Sequence, residues 1–328
     1  MTRRRFLIAV AGLVLAAAIG VLGAGAALRW YEAPGPSTEP RTLVLERHGN
    51  SEAIGAALEG AGILTHVRLF MLAARLTADA GELKAGEYLF PAAISPAGIF
   101  DLLRSGKTVV HRLVVPEGLT SAEIVALVTD ADALTGDIAN RPGEGQLLPE
   151  TYFYSWGDKR QALVDRMRRS MTKLVADLWA ARKPGLPLDS PDQAVTRASI
   201  GEKETGIEGE RPLIAGVFYN RLKLGMKLQS DPTVNYALTL GEHPLGRTLT
   251  RADLDLPSPY NTYVAKGLPP GPIANPGRAA LKAVLDPAST DALYFVADGS
   301  GGHAFSATLD AHNKAVQRWR QLQNAPKN

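Results

Sequence analysis

The sequence predicts an α+β protein in three parts: an N-terminal transmembrane helix, a small βα domain and a larger mixed α+β domain. Three observations carry this prediction. The chain opens on an uncharged apolar run, and short strand-turn-helix units recur after it. A long amphipathic helix then precedes a region dense in glycine, proline and aromatic residues. With 328 residues and 45% hydrophobic content, the chain is long enough for two folded domains besides the terminal helix.

The first element is Phe6 to Leu28, which carries no charge. At ~1.5 Å per residue the run is about 34 Å long, enough to cross a hydrocarbon core of ~30 Å. Arg3, Arg4 and Arg5 precede it, and Arg29, Trp30 and Tyr31 follow. That order predicts a single-pass anchor in the cytoplasmic (inner) membrane, with a cytoplasmic N-terminus and a periplasmic or otherwise extracytoplasmic body. Ala24-Gly25-Ala26 also resembles a signal cleavage site, but the apolar run is long for a signal peptide. Residues 1–28 are therefore read as tip and anchor. Residues 29–41, with Ala33-Pro34-Gly35-Pro36-Ser37-Thr38-Glu39-Pro40, are read as a stiff polar spacer that cannot pack a core and holds the body off the bilayer.

The strand-turn-helix pattern follows. Leu43-Val44-Leu45 leads through His48-Gly49-Asn50 to a helix carrying Ile54, Ala57 and Leu58. Tyr88-Leu89-Phe90 leads past Pro91 to a helix opening at Ser95-Pro96 and carrying Ile99, Leu102 and Leu103. Leu113-Val114-Val115 leads through Pro116-Glu117-Gly118 to a helix capped by Thr120 or Ser121. Ser or Thr before a helix satisfies its free N–H groups, and Pro suits the first turn. Residues 42–112 resemble LysM-like modules, which bind glycan, although such units serve equally well as scaffold. Residues 113–328 form the larger domain. Within it Leu163, Met167, Met171, Leu174 and Leu178 recur at helical spacing between Arg160 and Trp179 and read as core.

Composition excludes several classes. The formal charge of +3 is the contribution of Arg3–Arg5, since the remaining 33 basic residues (36 less 3) balance 33 acidic ones. No basic stripe with interleaved aromatics marks a nucleic-acid binder. There is no cysteine, hence no disulfide, thiolate ligand or cysteine nucleophile. The six histidines show no metal-ligand spacing, and no phosphate loop or Gly-x-Ser-x-Gly elbow occurs, so no metal or cofactor is expected.

A helix from Asp192 to Thr205, capped by Ser190, carries Glu202-Lys203-Glu204 near its end. An isolated Glu-Lys-Glu is ordinarily a solvated helix end. Here Ala198-Ser199-Ile200-Gly201 before it is small and apolar, as suits a helix packed beside a pocket. The following segments, Phe218-Tyr219-Asn220-Arg221, Gln229-Ser230-Asp231-Pro232-Thr233 and Pro259-Tyr260-Asn261-Thr262-Tyr263, offer the amides, hydroxyls and ring faces that a polysaccharide groove needs. Residues two apart on a helix point about 200° apart, so Glu202 and Glu204 cannot both face one cleft. Apolar periodicity does not decide between them.

The strings Ala198-Ser199-Ile200-Gly201-Glu202-Lys203-Glu204-Thr205, Phe218-Tyr219-Asn220-Arg221-Leu222 and Leu228-Gln229-Ser230-Asp231-Pro232-Thr233-Val234 resemble the MltG (YceG-like) endolytic murein transglycosylases. So do Tyr260-Asn261-Thr262-Tyr263, Gly267-Leu268-Pro269-Pro270-Gly271 and Tyr294-Phe295-Val296-Ala297-Asp298-Gly299, followed by Gly302-His303-x-Phe305. Pro149-Glu150-Thr151 departs from the family, where Asp is expected in place of Glu150. The resemblance implies lytic cleavage of MurNAc-GlcNAc bonds in nascent peptidoglycan strands. One Glu, carried over to Glu204, acts first as acid and then as base while the muramyl C6 hydroxyl closes on C1. The products are 1,6-anhydroMurNAc ends, and strand elongation is limited. A tethered nucleophile removes the need for the second carboxylate of a hydrolase.

Beside Glu204, substrate contacts are expected from Gln229, Asp231, Tyr260, Asn261 and Tyr263, with Glu202, Thr205 and Asn220 in support. Asp231 before Pro232 also reads as a helix cap. Peptidoglycan glycan strands are the implied partner, with a penicillin-binding protein or other glycan synthase beside them. The alternatives are a non-catalytic wall-binding scaffold and a water-using muramidase with Asp231 as second carboxylate.

Overall fold

The computed structural model describes residues 3–46 and 50–324, and the expected His48-Gly49 turn lies outside the described residues. Contacts divide the chain into two units, one of Met1–His111 with Ser155–Gly157 and one of Arg112–Tyr154 with Asp158–Asn328.

The first unit opens with α1 (Arg3–Glu32), a helix that continues past the apolar run. Its Phe6–Glu32 portion is long and apolar enough to cross a membrane, and its most apolar 18-residue stretch is not buried in protein. Next come β1 (Arg41–Leu45), α2 (Ser51–Gly60), α3 (Val67–Leu76), β2 (Gly86–Phe90) and α4 (Pro96–Ser105). β1 and β2 pair antiparallel, with Leu43 opposite Tyr88. Their inward side chains join Ile54, Leu58, Phe70, Ile99, Phe100 and Leu103 in one core. α2 and α3 approach closely because Gly55 has no Cβ, which would stand 2.8 Å from Val67 Cγ1. α4 is capped as expected: Ser95 Oγ accepts the Gly98 N–H, and Pro96 takes the first turn.

The spacer differs from expectation. Residues 33–37 do not stand free of the body: Gly35 N–H donates to Ala93 O and Ala93 N–H donates to Ser37 O. A Cβ on Gly35 would lie 2.3 Å from Ile94 O, and Ser37 is buried. Trp30 and Tyr31 turn inward too, packing on the unit's core, with the Tyr31 ring 5.9 Å from Phe100. Backbone hydrogen bonds and two aromatic side chains thus weld the helix end to the first unit, where composition alone suggested a linker.

The second unit begins within β3 (Val110–Val114), which pairs with β4 (Thr151–Ser155). Between them α5 (Ser121–Asp130) begins at a full capping box of Thr120 and Glu123. α6 (Arg160–Ala180) buries Leu163, Met167, Met171 and Leu174 as its period requires. α7 (Pro191–Glu204), α8 (Arg211–Lys223) and α11 (Arg278–Leu285) share a core with α6. The short helices α9 (Asp231–Thr239) and α10 (Arg251–Leu254) lie between them in sequence. The antiparallel pair β5 (Tyr294–Ala297) and β6 (His303–Ser306) then leads into α12 (Leu309–Asn324). Phe218-Tyr219-Asn220-Arg221 is not groove surface but the end of α8. Phe218 and Tyr219 are core residues there.

Candidate active site

α7 is the helix around which the site is built. Ser190 Oγ accepts the Gln193 N–H at its start, and from Ala194 to Ile200 every residue is buried. Ala194, Ala198 and Ser199 are small enough for close packing, and the long Arg197 side chain is enclosed beside them. Ser199 Oγ receives the Ile273 N–H at 3.0 Å, drawing the Gly271-Pro272-Ile273 segment onto the helix.

The two glutamates at its end diverge as the 100° step demands. Glu202 accepts from Arg211 at 3.0 Å and from the Gly277 N–H at 2.9 Å, and its side chain is 4% exposed. It is an anchoring residue. Glu204 closes α7 and accepts from the Ser230 hydroxyl through Oε1. Burial pushes its carboxyl above the ordinary carboxylate range, and the Asp231 charge adds to the rise. The Ser230 hydrogen bond, His303 and Arg197 oppose it. A desolvated carboxyl shifted upward in this way is suited to give up a proton as a general acid.

Ser230 is held for this role by buried hydroxyls. Its N–H donates to Thr262 Oγ1 at 3.0 Å, Thr233 Oγ1 donates to its carbonyl at 2.6 Å, and the two threonine hydroxyls meet at 2.8 Å. The preceding residue, Gln229, has φ +53, a left-handed conformation that costs about 1 kcal/mol or more for a side chain with a Cβ. Its N–H is tied to Thr262 O at 3.1 Å, and the turn points Ser230 inward while Gln229 stays exposed.

Asp231 is exposed and does not cap α9. The residue at the cap is Ser230, whose hydroxyl is taken by Glu204, and the Asp231 carboxylate instead accepts from Tyr263 Oη at 2.6 Å. Burial and that carboxylate both push the Tyr263 phenol up. Tyr260 lies against Tyr236 with ring centroids 4.8 Å apart, half-buried.

Three expected residues serve other ends. Asn261 is wholly buried: its amide donates to Leu254 O and Leu256 O, and its carbonyl accepts from the Tyr263 N–H. It shapes the loop that carries Tyr260 and Tyr263, with no atom left for a sugar. Asn220 donates to Thr290 O and Ala292 O, anchoring the approach to β5 rather than Glu204. Thr205 donates to Glu210 at 3.1 Å and not to its neighbour Glu204.

Sequence reasoning passed over the residues behind the site. Glu210 accepts the His303 backbone N–H at 2.8 Å and meets His303 Nδ1 at 2.7 Å. Burial works to raise the Glu210 carboxyl, but these bonds outweigh it and hold it below its ordinary value. Arg197 is buried in full against the Phe218 and Tyr219 rings, and desolvation lowers it to about 10. Its Nη2 donates to Ala215 O at 2.8 Å, and Nε and Nη1 have no partner among the described residues. Arg221 donates to Leu293 O and Leu228 O, fixing the turn before Ser230. Ser230 and His303 stand inside the motif strings; Glu210 and Arg197 carry no signal in sequence.

Architecture and site together define an α+β protein organised around one desolvated carboxyl group at the end of a central helix. The model of the YceG-like family matches residues 43–318, and the chain belongs to that family. It is 40% identical over 198 residues to the endolytic murein transglycosylase of Bacillus subtilis strain 168, covering 59% of this chain and 53% of that protein. It is 30% identical to the endolytic murein transglycosylase of Streptococcus pneumoniae serotype 2, covering 84% of this chain and 57% of that protein. The chain thus spans little more than half the length of these curated relatives. The crystal structure of a YceG-like protein from Listeria monocytogenes superposes with a TM-score of 0.54 at 32% identity, over 85% of this chain and 99% of that one.

Proposed function

We propose that this chain is an endolytic lytic transglycosylase that cleaves MurNAc-GlcNAc bonds in nascent peptidoglycan strands and so limits their elongation. The observation that carries the reading is Glu204: one carboxyl, desolvated, on a rigid helix end, oriented by a buried hydroxyl network. Protonated, it gives its proton to the glycosidic oxygen. The resulting carboxylate, to which the Ser230 hydroxyl donates, then removes the proton of the muramyl C6 hydroxyl, which attacks C1 to form the 1,6-anhydro ring. The names of the relatives support the substrate class.

Within this reading Gln229, Asp231, Tyr260 and Tyr263 contact the glycan, and Glu202, Ser230, Glu210 and His303 keep the Glu204 region in place. The first unit is the LysM-like module and the second the catalytic domain. α1 anchors the protein in the cytoplasmic membrane with its N-terminus inside, which places the body near newly made strands and a glycan synthase of the penicillin-binding class. Digestion of purified peptidoglycan by wild type should yield anhydromuramyl products by mass spectrometry. Glu204→Gln should lower that yield by about 10²–10⁴-fold, the span of general acid-base catalysis, at unchanged thermal stability. Reducing ends alone would point to a muramidase, and full restoration of a deletion phenotype by Glu204→Gln would point to a scaffold.

A further inference from the structure

The apolar face of α3 lies beside the membrane helix, at the level where that helix leaves the hydrocarbon. A cleft of ≈ 500 Å³ is lined on one side by Gly23, Ala24, Ala27 and Leu28 of α1, and on the other by Leu69, Leu72 and Leu76 of α3. The α1 residues are the last turns of its apolar run. A run starting at Phe6 crosses ~30 Å in about twenty residues, so these turns stand at the outer edge of the hydrocarbon. The α3 leucines stand level with them.

α3 is not spare surface of an ordinary kind. Its inner face is committed, with Phe70 stacked on Phe100 at 4.6 Å. Its outer face leaves Leu72 and Leu76 51% and 76% exposed, beside the exposed Arg68 and Arg75. Leucines flanked by arginines on a short helix match the boundary between acyl chains and anionic headgroups. The tie between residues 33–37 and the Ala93 loop removes the slack that would let the unit stand away from the bilayer.

We propose that α3 is a second membrane contact: its Leu72–Leu76 face inserts into the outer leaflet of the anchoring bilayer, with Arg68 and Arg75 on anionic phospholipid headgroups. The occupant is the lipid surface itself, and acyl chains fill the cleft between α1 and α3. The first unit is thereby seated on the membrane rather than tethered above it. The inference rests on the reading of α1 as an anchor.

Because the chain has no cysteine, single cysteines give site-specific labels in the 328-residue chain. Fluorophores at Leu72→Cys, Leu76→Cys, Val14→Cys and Lys173→Cys would be compared in proteoliposomes of phosphatidylglycerol and phosphatidylcholine. All four positions are exposed, so the substitutions leave the core intact. Labels at 72 and 76 should be quenched by lipid-borne nitroxide several-fold more strongly than the label at 173, and be shielded from aqueous iodide. Iodide access at 72 and 76 equal to that at 173, with the label at 14 in lipid, overturns the proposal and leaves the anchor standing. A label at 14 that is also open to iodide removes the anchor and the proposal together. Shielding that disappears as protein is diluted into lipid assigns the face to a second copy and overturns the proposal as well.

Discussion

At the scale of single residues, the proposed reaction depends on how one carboxyl is balanced. Desolvation and the Asp231 charge push the Glu204 carboxyl up, and the Ser230 hydrogen bond pulls it down. Removing that hydroxyl should therefore raise the Glu204 pKa further. Activity that needs the protonated acid is lost as pH rises through this pKa, so Ser230→Ala should move the alkaline limb of kcat/KM to higher pH. A merely structural role for Ser230 would lower the rate without moving the limb. Glu144 offers a second test of the same physics. It accepts the Ser121 N–H at 3.0 Å, and burial pushes its carboxyl from 4.5 to about 7. The unfolded chain ionises near 4.5 and the folded one only near 7, so this contribution to stability is complete below the first value and lost as pH rises through the second. Glu144→Gln should flatten that dependence, read from urea midpoints at pH ~5 and ~8.

At the scale of elements, the end of α7 is fixed from one side by an ion pair. Glu202 is held by Arg211, whose side chain is 12% exposed, and by the Gly277 N–H. Replacing both charges with apolar groups would be tolerated, whereas removing one leaves the other unpaired. Arg211→Met should cost about 3 kcal/mol in urea denaturation, within the range for breaking a buried pair. The loss should also lower activity, because the same turn of helix carries Glu204. The glutamate spacing shows how much of an element is legible in sequence. That Glu202 and Glu204 face apart follows from helix geometry, but which one meets a hydroxyl and which an arginine depends on residues 26 and 9 positions away.

At the scale of the molecule, the junction between α1 and the first unit is structural rather than a leash. Trp30 and Tyr31 belong to the helix and to the core at once. A truncation starting at Arg29 should keep the first unit's stability, and one starting at Ala33 should melt that unit several degrees lower by calorimetry. The 33 acidic and 33 basic residues outside Arg3–Arg5 cancel, so the rest of the chain carries no formal net charge.

The sequence by itself determined what local rules control. The apolar run of α1, the caps at Ser95 and Ser190, the buried stripe of α6 and the opposition of the two glutamates all follow from spacing within one element, whereas the choice of Thr120 over Ser121 as a cap came from the structure. The motif strings point the proposed catalytic role to Glu204 rather than Glu202. Tertiary structure alone decided which polar groups are taken up inside the fold. Asn261, Asn220 and Thr205 read as polar groups suited to the site, and each is consumed by partners inside the fold. Ser230 and His303 stand in the motif strings without a stated role, and Glu210 carries no signal at all. The fold gives the Ser230 hydroxyl to Glu204 and pairs His303 with Glu210, 93 positions before it. The spacer became part of a domain for the same reason. A hydrogen-bonding group is satisfied by whatever the fold places beside it, and that neighbour is set by packing across the chain rather than by the residues on either side.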